Sequence, residues 1–181
     1  MEWQFCDILK KEAEIMKMLV VYYSWSNGNT ERIAKALASS CNANLLRLET
    51  EKPYEGTYNE VVDQALDETK RGWKPALKPL DKKLSGYDTI AVGTPTWWYT
   101  MAPAVLTFLS QADLAGRTVI PFMTNAGWPG HVIKDMTRII TDRGGSVKAP
   151  FEVTFDSEGG SRMQTEPAAV EAWIRSLGQK P

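Results

Sequence analysis

Apolar and polar positions alternate between two periods along this chain. From Met18 to Tyr23 runs an almost unbroken apolar stretch, Met-Leu-Val-Val-Tyr-Tyr, followed by a polar turn and then by Glu31–Ala38, where apolar residues return at helical spacing. Strand, turn and helix in succession are the first predicted unit. Asn44–Leu48 predicts a second strand. Tyr58–Arg71 predicts a helix, with Val61, Val62, Ala65, Leu66 and Thr69 near one face and Gly72 as its stop. Thr89–Val92 is a short continuous apolar run of the kind that is buried on both faces of a sheet. Val119–Met123 is another, although Pro121 lacks a donor for a ladder, so a bulge or local break is expected there. Further helical patterns cover Ala102–Leu109, Gly130–Arg143 and Glu166–Leu177, and a last strand spans Ser146–Phe155 after the stop at Gly144-Gly145. Strands that alternate with helices, joined by crossover-length connections, imply a parallel sheet with helices on both faces.

Residues 1–17 alternate charge with Phe5, Ile8, Leu9, Ile15 and Met16 at loosely helical spacing. They are expected to form a helical extension ahead of a single domain over residues 18–181. The 181 residues are 43% apolar and 24% charged, an ordinary globular balance with a sizeable core. Twenty-one basic residues against 22 acidic ones leave a formal charge of −1, which argues against nucleic acid as a partner. Cys6 and Cys41 form neither a disulfide framework nor a metal-ligand spacing, so no metal is expected. With no apolar run of membrane-spanning length and no signal-like N-terminus, the chain reads as cytoplasmic.

Candidate chemistry starts in the turn after the first strand. Ser24-Trp25-Ser26-Asn27-Gly28-Asn29-Thr30 opens a helix, whose first N–H groups lack partners and carry the positive end of the macrodipole. A phosphate is the natural guest. Between Ser24 and Thr30 there is no Lys and no G-x-x-x-x-G-K-[ST] spacing, which disfavours a magnesium-bound nucleoside triphosphate. Gly28 is the loop's only glycine, so the dinucleotide fingerprint is missing too, although Glu49 sits where a ribose-binding acid could follow the second strand. Hydroxyls, amides and backbone N–H groups suit a terminal phosphate monoester; a plain Ser/Asn helix cap is the alternative.

The Ser-x-Ser-Asn-Gly-Asn-Thr pattern resembles the phosphate loop of flavodoxins, and Gly93-Thr94-Pro95-Thr96-Trp97-Trp98-Tyr99 resembles the P-x-W-W segment of short flavodoxin-like proteins. The likeness runs from about Met18 to the C-terminus. It implies a three-layer α/β/α sandwich on a five-stranded parallel sheet of order 2-1-3-4-5, with FMN bound beyond the carboxyl ends of the strands. Ligand chemistry should then concentrate after strands one, three and four. Trp25, Trp97, Trp98 and Trp128, four of the seven tryptophans, fall in those loops.

By resemblance, the phosphate falls to Ser24, Ser26, Asn27, Gly28, Asn29 and Thr30. The isoalloxazine ring falls to the Gly93–Pro103 loop, with Pro95, Thr96, Trp97, Trp98 and Tyr99 as contacts and Trp97 or Trp98 as the stacking ring. Loops of this kind are stiffened by proline, and glycine permits close backbone approach. The third loop, Thr124–His131, departs from the Ser/Thr-Gly-Gly-Ser type of many short relatives, but Asn125, Ala126 and Gly127 could still meet the polar ring edge. His131, the single histidine, is a weak candidate for proton transfer, and a solvent-facing first-turn residue is its plainer role. Two functions remain open. One is an electron carrier that serves a redox partner protein; the other is an FMN-dependent oxidoreductase that takes hydride from NAD(P)H and reduces a quinone or other small acceptor. A flavin-free interaction module ranks third. Trp3 and Trp73 lie outside the site and could serve a homodimer interface.

Overall fold

The computed structural model describes residues 17–157 and 160–178, so the expected helix over residues 1–17 lies outside the described residues except for Lys17. Among the described residues, seven strands and five α-helices follow one another as β1 (Met18–Tyr22), α1 (Asn29–Ser40), β2 (Asn44–Arg47), α2 (Tyr58–Lys70), β3 (Thr89–Trp97), β4 (Thr100–Met101), α3 (Pro103–Gln111), β5 (Thr118–Asn125), α4 (Val132–Asp142), β6 (Ser146–Val147), β7 (Phe151–Thr154) and α5 (Pro167–Gly178). The main sheet is parallel and runs β2-β1-β3-β5, with β6 and β7 both paired to β5. Counting β6 and β7 as one interrupted strand gives the expected order.

Every residue of β1 is buried, and its alternation sends side chains to two cores. Leu19 and Val21 join Ile90, Val92, Val105, Phe108, Met136 and Ile140 beneath α3 and α4. Met18, Val20 and Tyr22 join Ile33, Leu37, Phe122, Trp173 and Ile174 beneath α1 and α5. Burying each Leu, Val or Ile contributes about 1.5–3 kcal/mol, so a strand sandwiched this way is fixed in register from both faces.

Three expectations need correction. The third strand does not stop at Val92 but continues to Trp97, paired with β5 as far as Pro95 opposite Thr124. Gly93, expected to let a ligand approach, instead makes room for a ring: a Cβ there would lie 2.2 Å from Phe122 Cζ. The last strand is two pieces, with Ala149 at φ +45 between them.

Proline explains the last two strand features together. The N–H of Lys148 donates to the carbonyl of Val119, so Val119 faces the final strand, and Pro121, two residues on, faces the same way. Its missing donor falls opposite the gap at 148–150. The break expected in β5 is therefore displaced into its neighbour, where Trp173 Nε1 donates to the freed carbonyl of Ala149 at 2.9 Å. Pro95 follows the same logic: Gly93 accepts from the N–H of Tyr23, and Pro95 faces that side just beyond the end of β1.

Candidate functional site

At the carboxyl ends of β1, β3 and β5 opens a cleft of about 250 Å³. Of the residues assigned from sequence, Ser26, Asn27, Asn29, Thr30, Pro95, Thr96, Trp97, Trp98, Asn125 and Ala126 line it. Ser24, Gly28, Tyr99, Gly127 and His131 do not. Trp25, Tyr58, Val61, Val62, Ala65, Thr124 and Phe155 complete the wall. Most of these additions come from α2, whose apolar face was legible as a helix stripe but not as a cleft wall.

The polar end is built around α1. Gly28 holds a left-handed conformation (φ +72, ψ +17) just before the helix, which turns the chain so that the N–H groups of Asn29 and Thr30 open the first turn. Ser24 stays behind the loop: its Oγ accepts from the N–H of Glu31 at 3.3 Å, and its carbonyl accepts from Arg47 Nη2 at 3.2 Å. Thr30, only 1% exposed, pairs through Oγ1 with Thr124 Oγ1 at 2.7 Å. One proton of such a pair lies between the oxygens, which leaves the other hydroxyl a donor for a third group. Asn29 Nδ2 donates to the carbonyl of Gly160 at 2.8 Å and ties the loop after β7 to the same corner.

Aromatic rings supply much of the remaining wall. Trp97 sits edge-on to Tyr54 (4.8 Å between centroids), Tyr23 (5.8 Å) and Trp25 (6.2 Å), while Trp25 stacks on Tyr58 at 5.9 Å. Each such contact contributes about 0.5–1.5 kcal/mol beyond burial, so Trp97 is fixed from three sides. Tyr54 is fixed in turn by its hydroxyl, which donates to the buried Glu68 carboxylate at 2.6 Å, with Gln64 Nε2 on the other oxygen at 2.8 Å. Burial, then that carboxylate, push the Tyr54 phenol far above its ordinary range.

Trp98 and Tyr99 make the two-residue reversal between β3 and β4, with Trp97 opposite Thr100. Both hold positive φ, +47 and +67. That is a type I′ turn without the Asn-Gly pair it favours, at a cost of about 1–2 kcal/mol per residue. Trp98 bridges to α2 through Nε1, which donates to the carbonyl of Val62 at 2.8 Å, and it remains 40% exposed. Tyr99 and Trp128 face solvent, 50% and 69% exposed. His131 also points outward, its Nδ1 on Asp135 Oδ2.

Two polar atoms in the cleft wall are buried without a hydrogen-bond partner, Thr96 Oγ1 and Asn125 Nδ2. Buried polar groups are otherwise paired in more than about nine cases in ten. Asn125 uses only its oxygen, which accepts from the N–H of Gly127 at 2.8 Å. Among the described residues no group of His, Cys, Asp and Glu could hold a metal ion, and no helix is long and apolar enough to cross a membrane.

A helix N-terminus, an aromatic wall and unpaired polar atoms thus meet at the switch point of a parallel sheet, and the sequence profile of the family described as Flavodoxin matches residues 17–141. The chain belongs to the flavodoxin family. No curated protein matches it significantly. Among solved structures, this chain is similar to a proposed flavoprotein from Bacteroides eggerthii DSM 20697 (25% identity, TM-score 0.71, covering 91% of this chain and 99% of that one). It is also similar to a flavoprotein from Lactobacillus acidophilus NCFM solved in complex with FMN (25% identity, TM-score 0.66, covering 76% and 93%). Oxidised flavodoxin 1 from Bacillus cereus shares the fold at 19% identity and TM-score 0.56, covering 88% and 93%.

Proposed function

We propose that this protein binds FMN in the cleft and works as a redox protein, carrying electrons to a redox partner protein or a small acceptor. The observation that carries the reading is the unpaired pair, Thr96 Oγ1 and Asn125 Nδ2, in the wall of an aromatic cleft that ends on a helix N-terminus. A flat ring with a polar edge and a phosphate tail has complementary needs at both ends, and the Lactobacillus acidophilus flavoprotein was solved with that molecule. Ser26, Asn27, Asn29 and Thr30 with the first turn of α1 would hold the phosphate. Trp97 and Trp98, with Thr96, Asn125 and Ala126, would hold the ring; Gly127 acts through Asn125. When bound, FMN supplies one- and two-electron chemistry, and the protein supplies binding, orientation and polarity. On this reading Trp97, held by three edge-on contacts, is a wall of the cleft, and Trp98, held by its bond to Val62 at the rim, is the ring that covers the flavin.

A second reading is an FMN-dependent oxidoreductase that takes hydride from NAD(P)H. The near balance of 21 basic and 22 acidic residues favours it, because a transient protein docking partner is usually steered by a field of one sign. The purified protein should show a flavin visible spectrum or acquire one with added FMN. Anaerobic mixing with NADH or NADPH then separates the readings: rapid bleaching supports the oxidoreductase and inertness to both supports the carrier. No flavin absorption and no FMN binding would overturn both.

A further inference from the structure

The reversal at Trp98-Tyr99 holds two side-chain-bearing residues in the left-handed region, yet the turn contains no glycine, so its conformation is imposed from outside. The stretch that leads into α4 does this. Thr100 Oγ1 donates to Asp135 Oδ2 at 2.8 Å, and His131 Nδ1 shares that oxygen. The N–H of His131 donates to the carbonyl of Tyr99 at 2.7 Å. Gly130 holds φ +60 against the same residue, and a Cβ there would lie 2.2 Å from the Tyr99 oxygen, so only glycine leaves room for this approach. From the opposite side, Trp98 is bonded to Val62 of α2.

We infer that Asp135 is a positioning residue: with Thr100 and His131 it latches the turn so that Trp98 is presented at the rim of the flavin cleft. The inference rests on the FMN reading above. None of the three latch residues lines the cleft, whereas Trp98 does, so their effect on a bound ring must pass through the turn. This also gives His131 a role that needs no proton transfer.

The test uses the full chain and titrates the flavin-free protein with FMN, following flavin fluorescence, for wild type, Asp135→Asn, Thr100→Val and Thr100→Ser. Asp135→Asn and Thr100→Val should raise the FMN Kd roughly tenfold, the factor that corresponds to losing one hydrogen bond to a charged group. Thr100→Ser, which keeps the hydroxyl, should bind like wild type. In a Trp98→Ala background Asp135→Asn should add little, because residues that act through one another are non-additive. Amide exchange at Thr100 and Met101 in the flavin-free protein should quicken about tenfold in both latch variants. Wild-type affinity in Asp135→Asn and Thr100→Val, or an undiminished effect without Trp98, would overturn the positioning role. Unchanged exchange would overturn the latch whether or not flavin binds. Failure of wild type to bind FMN would instead overturn the reading of the cleft.

Discussion

Replacing Thr96 by Val should stabilise the flavin-free protein and weaken FMN binding, two effects of opposite sign from one atom. Thr96 Oγ1 is buried with no partner, and leaving such a group unsatisfied costs about 1–3 kcal/mol. Valine keeps the β-branched shape that suits β3 and removes the polar atom, so about 1–2 kcal/mol should be recovered. In a chain of 181 residues that corresponds to a rise in Tm of about 2–8 °C. If the hydroxyl bonds the flavin, its loss removes a neutral hydrogen bond worth about 0.5–1.5 kcal/mol, and the Kd for FMN should rise roughly two- to tenfold. Differential scanning calorimetry of the flavin-free protein reads the first effect, and fluorescence titration reads the second. An unchanged or lower Tm would refute the claim that the atom is unsatisfied. A higher Tm with unaltered affinity would refute its assignment to the ligand.

The hydroxyl pair at the polar end makes a second expectation. Thr30→Ala should weaken FMN more than riboflavin, which lacks the phosphate, while Thr30→Ser restores both; equal losses in parallel titrations would move Thr30 off the phosphate. Tyr54→Phe leaves the buried Glu68 carboxylate with one donor fewer and should cost about 1.5–3 kcal/mol in urea unfolding, and an unshifted midpoint would show that the carboxylate finds water. Gly93→Ala drives a methyl into the Phe122 ring and should destabilise by about 1–3 kcal/mol with little change in FMN affinity per folded molecule; a loss of affinity alone would restore Gly93 to the ligand.

The sheet was readable from sequence because its strands are buried on both faces, which writes them as plain apolar runs such as Leu19–Val21 and Ile90–Val92. The polar loop before α1 was readable as part of the cleft because its residues are contiguous in the chain. What escaped was decided across space. Tyr58, Val61 and Ala65 are ordinary amphipathic-helix residues until α2 is laid against Trp25 and Trp98. Thr124 became part of the polar corner only through its contact with Thr30, 94 positions away. Gly93 was read as room for a ligand and Gly130 only as the start of a helix, yet one accommodates a phenyl ring and the other a neighbouring backbone. The hairpin at Trp98-Tyr99 carried no turn signal at all, since its conformation is held by Asp135 and Gly130 rather than by its own residues. His131 drew attention as the lone imidazole, and only the folded chain shows its pairing with Asp135, one helical turn on.

The interrupted last strand has a consequence for the protein's behaviour in a crowd of its own kind. It forms one border of the sheet, and an unbroken border strand is a template on which a second chain can add. Here that border is offered as two residues and then four, with a left-handed Ala149 and the donorless Pro150 between them. The far end is already taken: the N–H of Thr154 donates to Thr165 Oγ1, and its carbonyl accepts from the N–H groups of Gln164 and Thr165. The proline that interior β5 tolerates thereby helps to shorten the edge on which a second chain could add.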